Sequence, residues 1–136
     1  EENLRACSEL LQNVQMKTGD YSDCKGFIDS ETFVYLDPPY RPLTQTSAFT
    51  SYSENKFSDK EQVELGNFIK EISEIGANIL ASNSDPKNTN KEDNFFDELY
   101  SNFEIKRISA SRMINSNAKK RGAISELLIS NIAALF

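Results

Sequence analysis

The sequence predicts an α/β fold, a mainly parallel sheet that ends in an antiparallel hairpin. Three observations carry this. Short β-branched and aromatic runs alternate with helical patterns, and the longest helical pattern lies between two such runs. The most apolar run stops dead at two prolines. The last two apolar runs are separated by a polar basic stretch with no helical period, so they are expected to pair as a hairpin.

Taken in order, Asn3 to Val14 place Leu4, Cys7, Leu10, Leu11 and Val14 at the three-and-four spacing of an amphipathic helix. Val14 to Thr18 is expected to form a first strand, ended by the turn residues Gly19-Asp20. Thr32-Phe33-Val34-Tyr35-Leu36 reads as a second strand, of the kind buried on both faces of a parallel sheet. Arg41 to Phe57 is a polar stretch rich in Ser and Thr, carrying Phe49, Tyr52 and Phe57, and reads as a long surface loop. Ser58-Asp59-Lys60-Glu61 is a capping box that opens a helix with Leu65, Phe68, Ile69, Ile72 and Ile75 on its core face and Gly76 at its end. Ala77 to Ser82 is the third strand, Asn94 to Ser101 a short helix, Phe103 to Ser109 the fourth strand and Ile124 to Ser130 the fifth. Ser111 to Gly122 between the last two is a basic loop, and the whole chain reads as a single domain without internal repeat or linker.

Composition narrows the chemistry. The chain of 136 residues has no histidine, which removes Ser-His-Asp and Cys-His machinery and most catalytic zinc sites. Its two cysteines, Cys7 and Cys24, are too few for a zinc site or a disulfide framework, so a reducing cytoplasmic setting with no resident metal is expected. No apolar run is long enough to span a bilayer, and Glu1 to Arg5 carry no secretory signal, so no membrane role is expected. The five glycines never make a G-x-G, so the nucleotide fingerprint is absent from these residues. The net charge of −6 opposes nucleic-acid binding on average, yet Phe103 to Gly122 carries Lys106, Arg107, Arg112, Lys119, Lys120 and Arg121 against Glu104 alone. That strip is either a phosphate-facing surface or a solvated basic loop.

Asp37-Pro38-Pro39-Tyr40 follows the most apolar strand, at the carboxyl end where open α/β sheets form their ligand crevice. The prolines lock two φ angles, so the Pro38 carbonyl becomes a rigid acceptor beside the Asp37 carboxylate. Two fixed acceptors match an amino group with two N–H donors. The exocyclic nitrogen of adenine is a poor nucleophile, because its lone pair is delocalised into the ring. Hydrogen bonds from both its protons favour a tetrahedral nitrogen able to attack an electrophilic methyl. Tyr40 offers an aromatic face to a base flipped out of a duplex. The plain alternative is an aspartate and two prolines that merely end a buried strand.

Phe33 to Tyr40, with Arg41-Pro42-Leu43, Phe49-Thr50-Ser51-Tyr52 and Phe57, resembles the Dam-type, D12-class adenine-N6 DNA methyltransferases, including modification enzymes of restriction systems. Gly19-Asp20-Tyr21, Ile79 to Asp85 and Glu126 to Asn131 resemble further motifs of that family in the same order. The resemblance implies an incomplete Rossmann-like sheet of S-adenosylmethionine-dependent type, with double-stranded DNA as partner and S-adenosylmethionine as cofactor. It implies catalytic roles for Asp37, Pro38, Pro39 and Tyr40, and cofactor contacts for Asp20, Tyr21 and Asp37. Phe49 and Tyr52 match an aromatic loop near the target base. Arg112, Asn115, Ser116, Asn117, Lys119 and Arg121 match a loop that approaches DNA phosphates, which favours the phosphate reading of the basic strip. The family's glycine-rich cofactor loop and target-recognition domain have no counterpart here. The chain therefore reads as the C-terminal part of a catalytic domain, expected to need the N-terminal half and to be inactive alone, with an open sheet edge beside Phe33 to Leu36. The competing expectation is a catalytically silent nucleic-acid-binding or assembly module that works only with a partner chain.

Overall fold

The computed structural model describes residues 1–43, 57–111, 123–133 and 135. Its helices are α1 (Glu2–Leu11), α2 (Asp59–Glu74) and α3 (Phe95–Leu99), and its strands are β1 (Phe33–Leu36), β2 (Asn78–Ser84), β3 (Glu104–Ser111) and β4 (Ala123–Ser130). Two 3₁₀ turns, Tyr21–Phe27 and Pro86–Asn88, complete the described elements.

The strands form one sheet in the order β1-β2-β4-β3. β1 and β2 run parallel, with Leu36 opposite Ala81, whereas β2 with β4 and β4 with β3 are antiparallel. The expected C-terminal hairpin is present, but the expectation of a mainly parallel sheet is corrected. β4 returns between β2 and β3, so the hairpin joins the sheet through its second strand and makes antiparallel pairing the commoner kind.

Val14 to Thr18 forms no strand. A strand gains its ladder from a neighbour, and here Val14 and Met16 stand 52% and 76% exposed and pair with none of the described strands. The expected first helix does form, but none of its residues is buried. β1 is not buried on both faces either. Phe33 and Tyr35 are each 57% exposed, because they point to the face opposite the core while Val34 and Leu36 pack against it; β1 is also the edge strand that the family resemblance led us to expect.

The core lies on one face of the sheet. Leu65, Phe68, Ile69 and Ile72 of α2 pack on Ile79 and Ala81 of β2, Leu127 and Ile129 of β4, and Phe96 and Tyr100 around α3. Ser58 and Glu61 close the expected capping box at the start of α2. Gly66 admits Leu99, since a Cβ there would lie 2.8 Å from its Cδ1. Gly76 takes a φ of +101°, the left-handed turn that lets the chain leave α2 and enter β2. No described helix is long and apolar enough to cross a membrane.

Candidate active site

Parallel pairing of β1 and β2 brings their carboxyl ends together, and there the chain turns through Asp37-Pro38-Pro39-Tyr40. β2 continues two residues beyond its expected end, so Ser82, Asn83 and Ser84 stand against the corner as buried polar side chains. The Ser82 hydroxyl donates to Asp37 Oδ1 at 3.0 Å. Gln62, fully buried on α2, donates from Nε2 to the Pro39 carbonyl at 3.0 Å. Asn83 donates from Nδ2 to Gln62 Oε1 at 3.0 Å and accepts the Arg41 backbone N–H at 3.0 Å. Ser84 Oγ donates to the Arg41 carbonyl at 2.6 Å. No described residue donates to the Pro38 carbonyl or to Asp37 Oδ2.

The Arg41 side chain anchors the corner to the surrounding elements. It holds both carboxylate oxygens of Asp59 at 2.7 and 2.9 Å, reaches Asp93 at 2.7 Å and lies 4.5 Å over the Phe95 ring. The Asp59 hydrogen bonds lead in raising the guanidinium's pKa. Burial pushes the Asp93 carboxyl up, but its bonds to Arg41 and the Phe95 N–H outweigh that and leave it below the ordinary range. Tyr40 is half-buried beside Ser82, and burial is the main cause that pushes its phenol up.

A cavity of about 810 Å³ opens beside the corner. Its wall includes Asp20, Tyr21, Asp37, Pro38, Phe57 and Leu65, so residues far apart in the chain face one space. Asp20 caps the first 3₁₀ turn, accepting from the Ser22 hydroxyl and backbone N–H, and these bonds hold its carboxyl below the ordinary range. Tyr21 packs edge-on against Phe68 at 5.2 Å, and desolvation pushes its phenol up. The wall carries carboxylates, Glu61 and Glu64 among them, and no basic side chain among the described residues.

A family model described as D12 class N6 adenine-specific DNA methyltransferase matches residues 1–114. The chain belongs to this family. It is 43% identical over 132 residues to the Type II methyltransferase M.MjaIII of Methanocaldococcus jannaschii, covering 96% of this chain and 44% of that protein. It is 33% identical over 129 residues to a DNA adenine methylase of Haemophilus influenzae, covering 94% and 43%. The corresponding values for the Escherichia coli K12 DNA adenine methylase are 31% over 121 residues, 89% and 41%. The chain thus spans less than half the length of these curated relatives.

In this D12-class chain the expected site residues divide into three sets. Asp20, Tyr21, Asp37, Pro38 and Pro39 line one cavity, and Tyr40 stands at its corner beside Ser82. Phe49, Tyr52, Arg112, Asn115, Ser116, Asn117, Lys119 and Arg121 lie outside the described residues. Arg107, part of the basic strip, is paired with Asp85 at 3.1 Å and Asp97 at 2.8 Å and so ties β3 to α3 and to the turn after β2. Among the described residues no group of His, Cys, Asp or Glu could hold a metal ion.

Sequence reasoning missed Gln62, Ser82, Asn83, Ser84 and the anchoring role of Arg41. A signal existed for Gln62, a polar residue in helical register with Leu65, Ile69 and Ile72. Another existed in Ser82-Asn83-Ser84-Asp85, four polar residues ending a buried strand.

Proposed function

We propose that this chain supplies the base-holding corner and part of the cofactor cavity of an enzyme that methylates N6 of a flipped adenine in duplex DNA. The observation that carries this reading is the hydrogen-bond accounting of the corner. Asp37 Oδ1 and the Pro39 carbonyl are taken up within the chain, while Asp37 Oδ2 and the Pro38 carbonyl accept from no described residue. Two fixed, adjacent acceptors suit one amino group with two protons. Holding both protons turns the nitrogen's lone pair out of the ring system and toward the position of attack. Tyr40 gives the base a stacking face, and the closed backbone around it limits movement of the reacting nitrogen.

The family implies S-adenosylmethionine as donor, and the cavity wall fits part of it. The anionic wall suits a cation, Asp20 offers an acceptor, and Phe57 and Leu65 offer apolar surface to a ring. Bound there, the cofactor would supply an electrophilic methyl on a sulfonium. Among the described residues no basic side chain on this wall answers the cofactor's carboxylate. Among the described strands the β1 edge likewise has no neighbour beyond β2. We therefore read the chain as one that works with a further segment and transfers no methyl group alone.

The test is a chimaera in which this chain replaces the matching segment of the M.MjaIII methyltransferase. The expected result is adenine-N6 methylation of DNA that falls about 100-fold or more on Asp37→Ala, with cofactor and DNA binding retained. A folded chimaera that binds DNA but transfers nothing would replace the enzyme reading with that of a silent binding module. Methylation by the isolated chain would overturn the need for a second segment.

A further inference from the structure

Four groups at the corner form a hydrogen-bond chain with a single direction. The Arg41 backbone N–H donates to Asn83 Oδ1 at 3.0 Å, Asn83 Nδ2 donates to Gln62 Oε1 at 3.0 Å, and Gln62 Nε2 donates to the Pro39 carbonyl at 3.0 Å. The chain begins on a backbone donor and ends on a backbone acceptor only two residues away. Both amide orientations are thereby dictated, since turning either one would set acceptor against acceptor or donor against donor. Gln62 is fully buried and Asn83 is 2% exposed, so water does not compete for the bond between them, and the two end bonds are partly buried.

We propose that Gln62 is a positioning residue for methyl transfer, acting through this directed amide chain to fix the peptide that carries the Pro38 carbonyl. This rests on the reading of the corner as the acceptor of the adenine amino group. Gln62 does not line the cavity and contacts the corner only beyond Pro38, at the Pro39 carbonyl. Proline already locks φ at Pro38 and Pro39 but leaves ψ free. A carbonyl held at Pro39 and an N–H held at Arg41 anchor the chain just after that peptide, as Ser82 holds Asp37 just before it, and so restrain the direction of the Pro38 oxygen. The hold comes from α2, whose first turn also carries Asp59, the bidentate partner of Arg41.

Glutamate at position 62 has nearly the same shape but the wrong polarity. Ionised, it can still accept from Asn83, yet it presents an oxygen to the Pro39 carbonyl. Protonated, it regains the missing donor. Burial favours the protonated form, so the defect of Gln62→Glu should be reversed by acid, which loss of packing would not be.

The experiment measures amide hydrogen exchange in the full chain, comparing wild type, Gln62→Glu and Gln62→Met. Protection of the Arg41 amide is expected to fall about 10-fold or more in Gln62→Glu once the carboxyl ionises, with pH raised to about 9, and to return as pH is lowered. In Gln62→Met it should stay low throughout. Amides in the later turns of α2 report whether each variant remains folded. If Gln62→Glu disturbs the helix as well, Gln62→Met, which removes the donor to the Pro39 carbonyl without adding charge, decides by its Arg41 protection alone. Unchanged Arg41 protection in a folded variant, or loss that acid does not reverse, overturns the proposal. In the chimaera, Gln62→Glu should lower kcat about 10-fold or more with KM for DNA and cofactor nearly unchanged, and a KM effect alone would also overturn it. If the wild-type chimaera transfers no methyl group, the enzyme reading fails, and the exchange data still decide whether the amide chain orders the corner.

Discussion

The corner at Asp37 and the amino-terminal segment, residues 1–27, border the same cavity but are held in opposite ways. At the corner, backbone groups from Pro39 to Arg41 are bonded by side chains from β2 and α2 that are themselves buried. In residues 1–27 nothing is buried, and Tyr21 alone is even half-covered. The helix α1 and the Asp20 cap are satisfied by local hydrogen bonds, and the segment touches the core through Tyr21 on Phe68 and Lys25 on Glu71. Local bonds suffice to shape an element. Its position in the fold is determined by buried contacts from distant parts of the chain. The Asp37 corner is thus held by buried side chains from two elements, and the Asp20 wall is placed by few contacts.

Several measurements would sharpen or break that contrast. The largest effect is expected in the core beneath the corner. Phe96→Ala should lower stability by about 3–5 kcal/mol in urea unfolding, because Phe96 is fully buried between Phe95 and Tyr100. Next is Arg41→Met, which strands Asp93 without its partner and should cost about 1–3 kcal/mol by the same assay. A loss equal to that of a surface substitution would mean that the anchor contributes little.

A smaller effect is expected from acid. Asp93 and Asp97 are both held below the ordinary carboxyl range, burial being outweighed by Arg41 for the first and by Arg107 and Lys87 for the second. A lowered folded pKa means that the stabilisation is complete above the unfolded value near ~4 and is lost as pH falls through the folded values. Urea midpoints taken from about pH 6 to about pH 2 should therefore decline at the acid end, less steeply in Asp93→Asn. The smallest effect belongs to α1. Leu10→Ala, at a residue 72% exposed, should change stability by no more than about 0.5 kcal/mol. A loss above ~2 kcal/mol there would show that the amino-terminal helix is seated on the core after all.

The parts of the fold legible in advance were those whose cause is local. Ser58 and Glu61 announced the start of α2, Gly76 its end, and Pro38-Pro39 the end of β1. Val14 to Thr18 misled because alternating Val14 and Met16 resemble a strand, while a ladder requires a partner that local pattern does not reveal. The partners of Arg107 were not legible for a similar reason. Its place in a basic strip gave no sign of Asp85 and Asp97, which only the fold brings against it.

The end of β1 at Asp37 was determined by the sequence by itself, because two prolines lack the N–H that a continuing ladder needs and lock φ in any environment. The family followed from residues of the same kind. Tertiary structure alone decided that β4 enters between β2 and β3, that Asp20 and Asp37 face one cavity, and that Gln62 and Asn83 join Arg41 to Pro39. Such contacts join positions far apart in the chain, and their directions depend on register and burial. No local pattern encodes either.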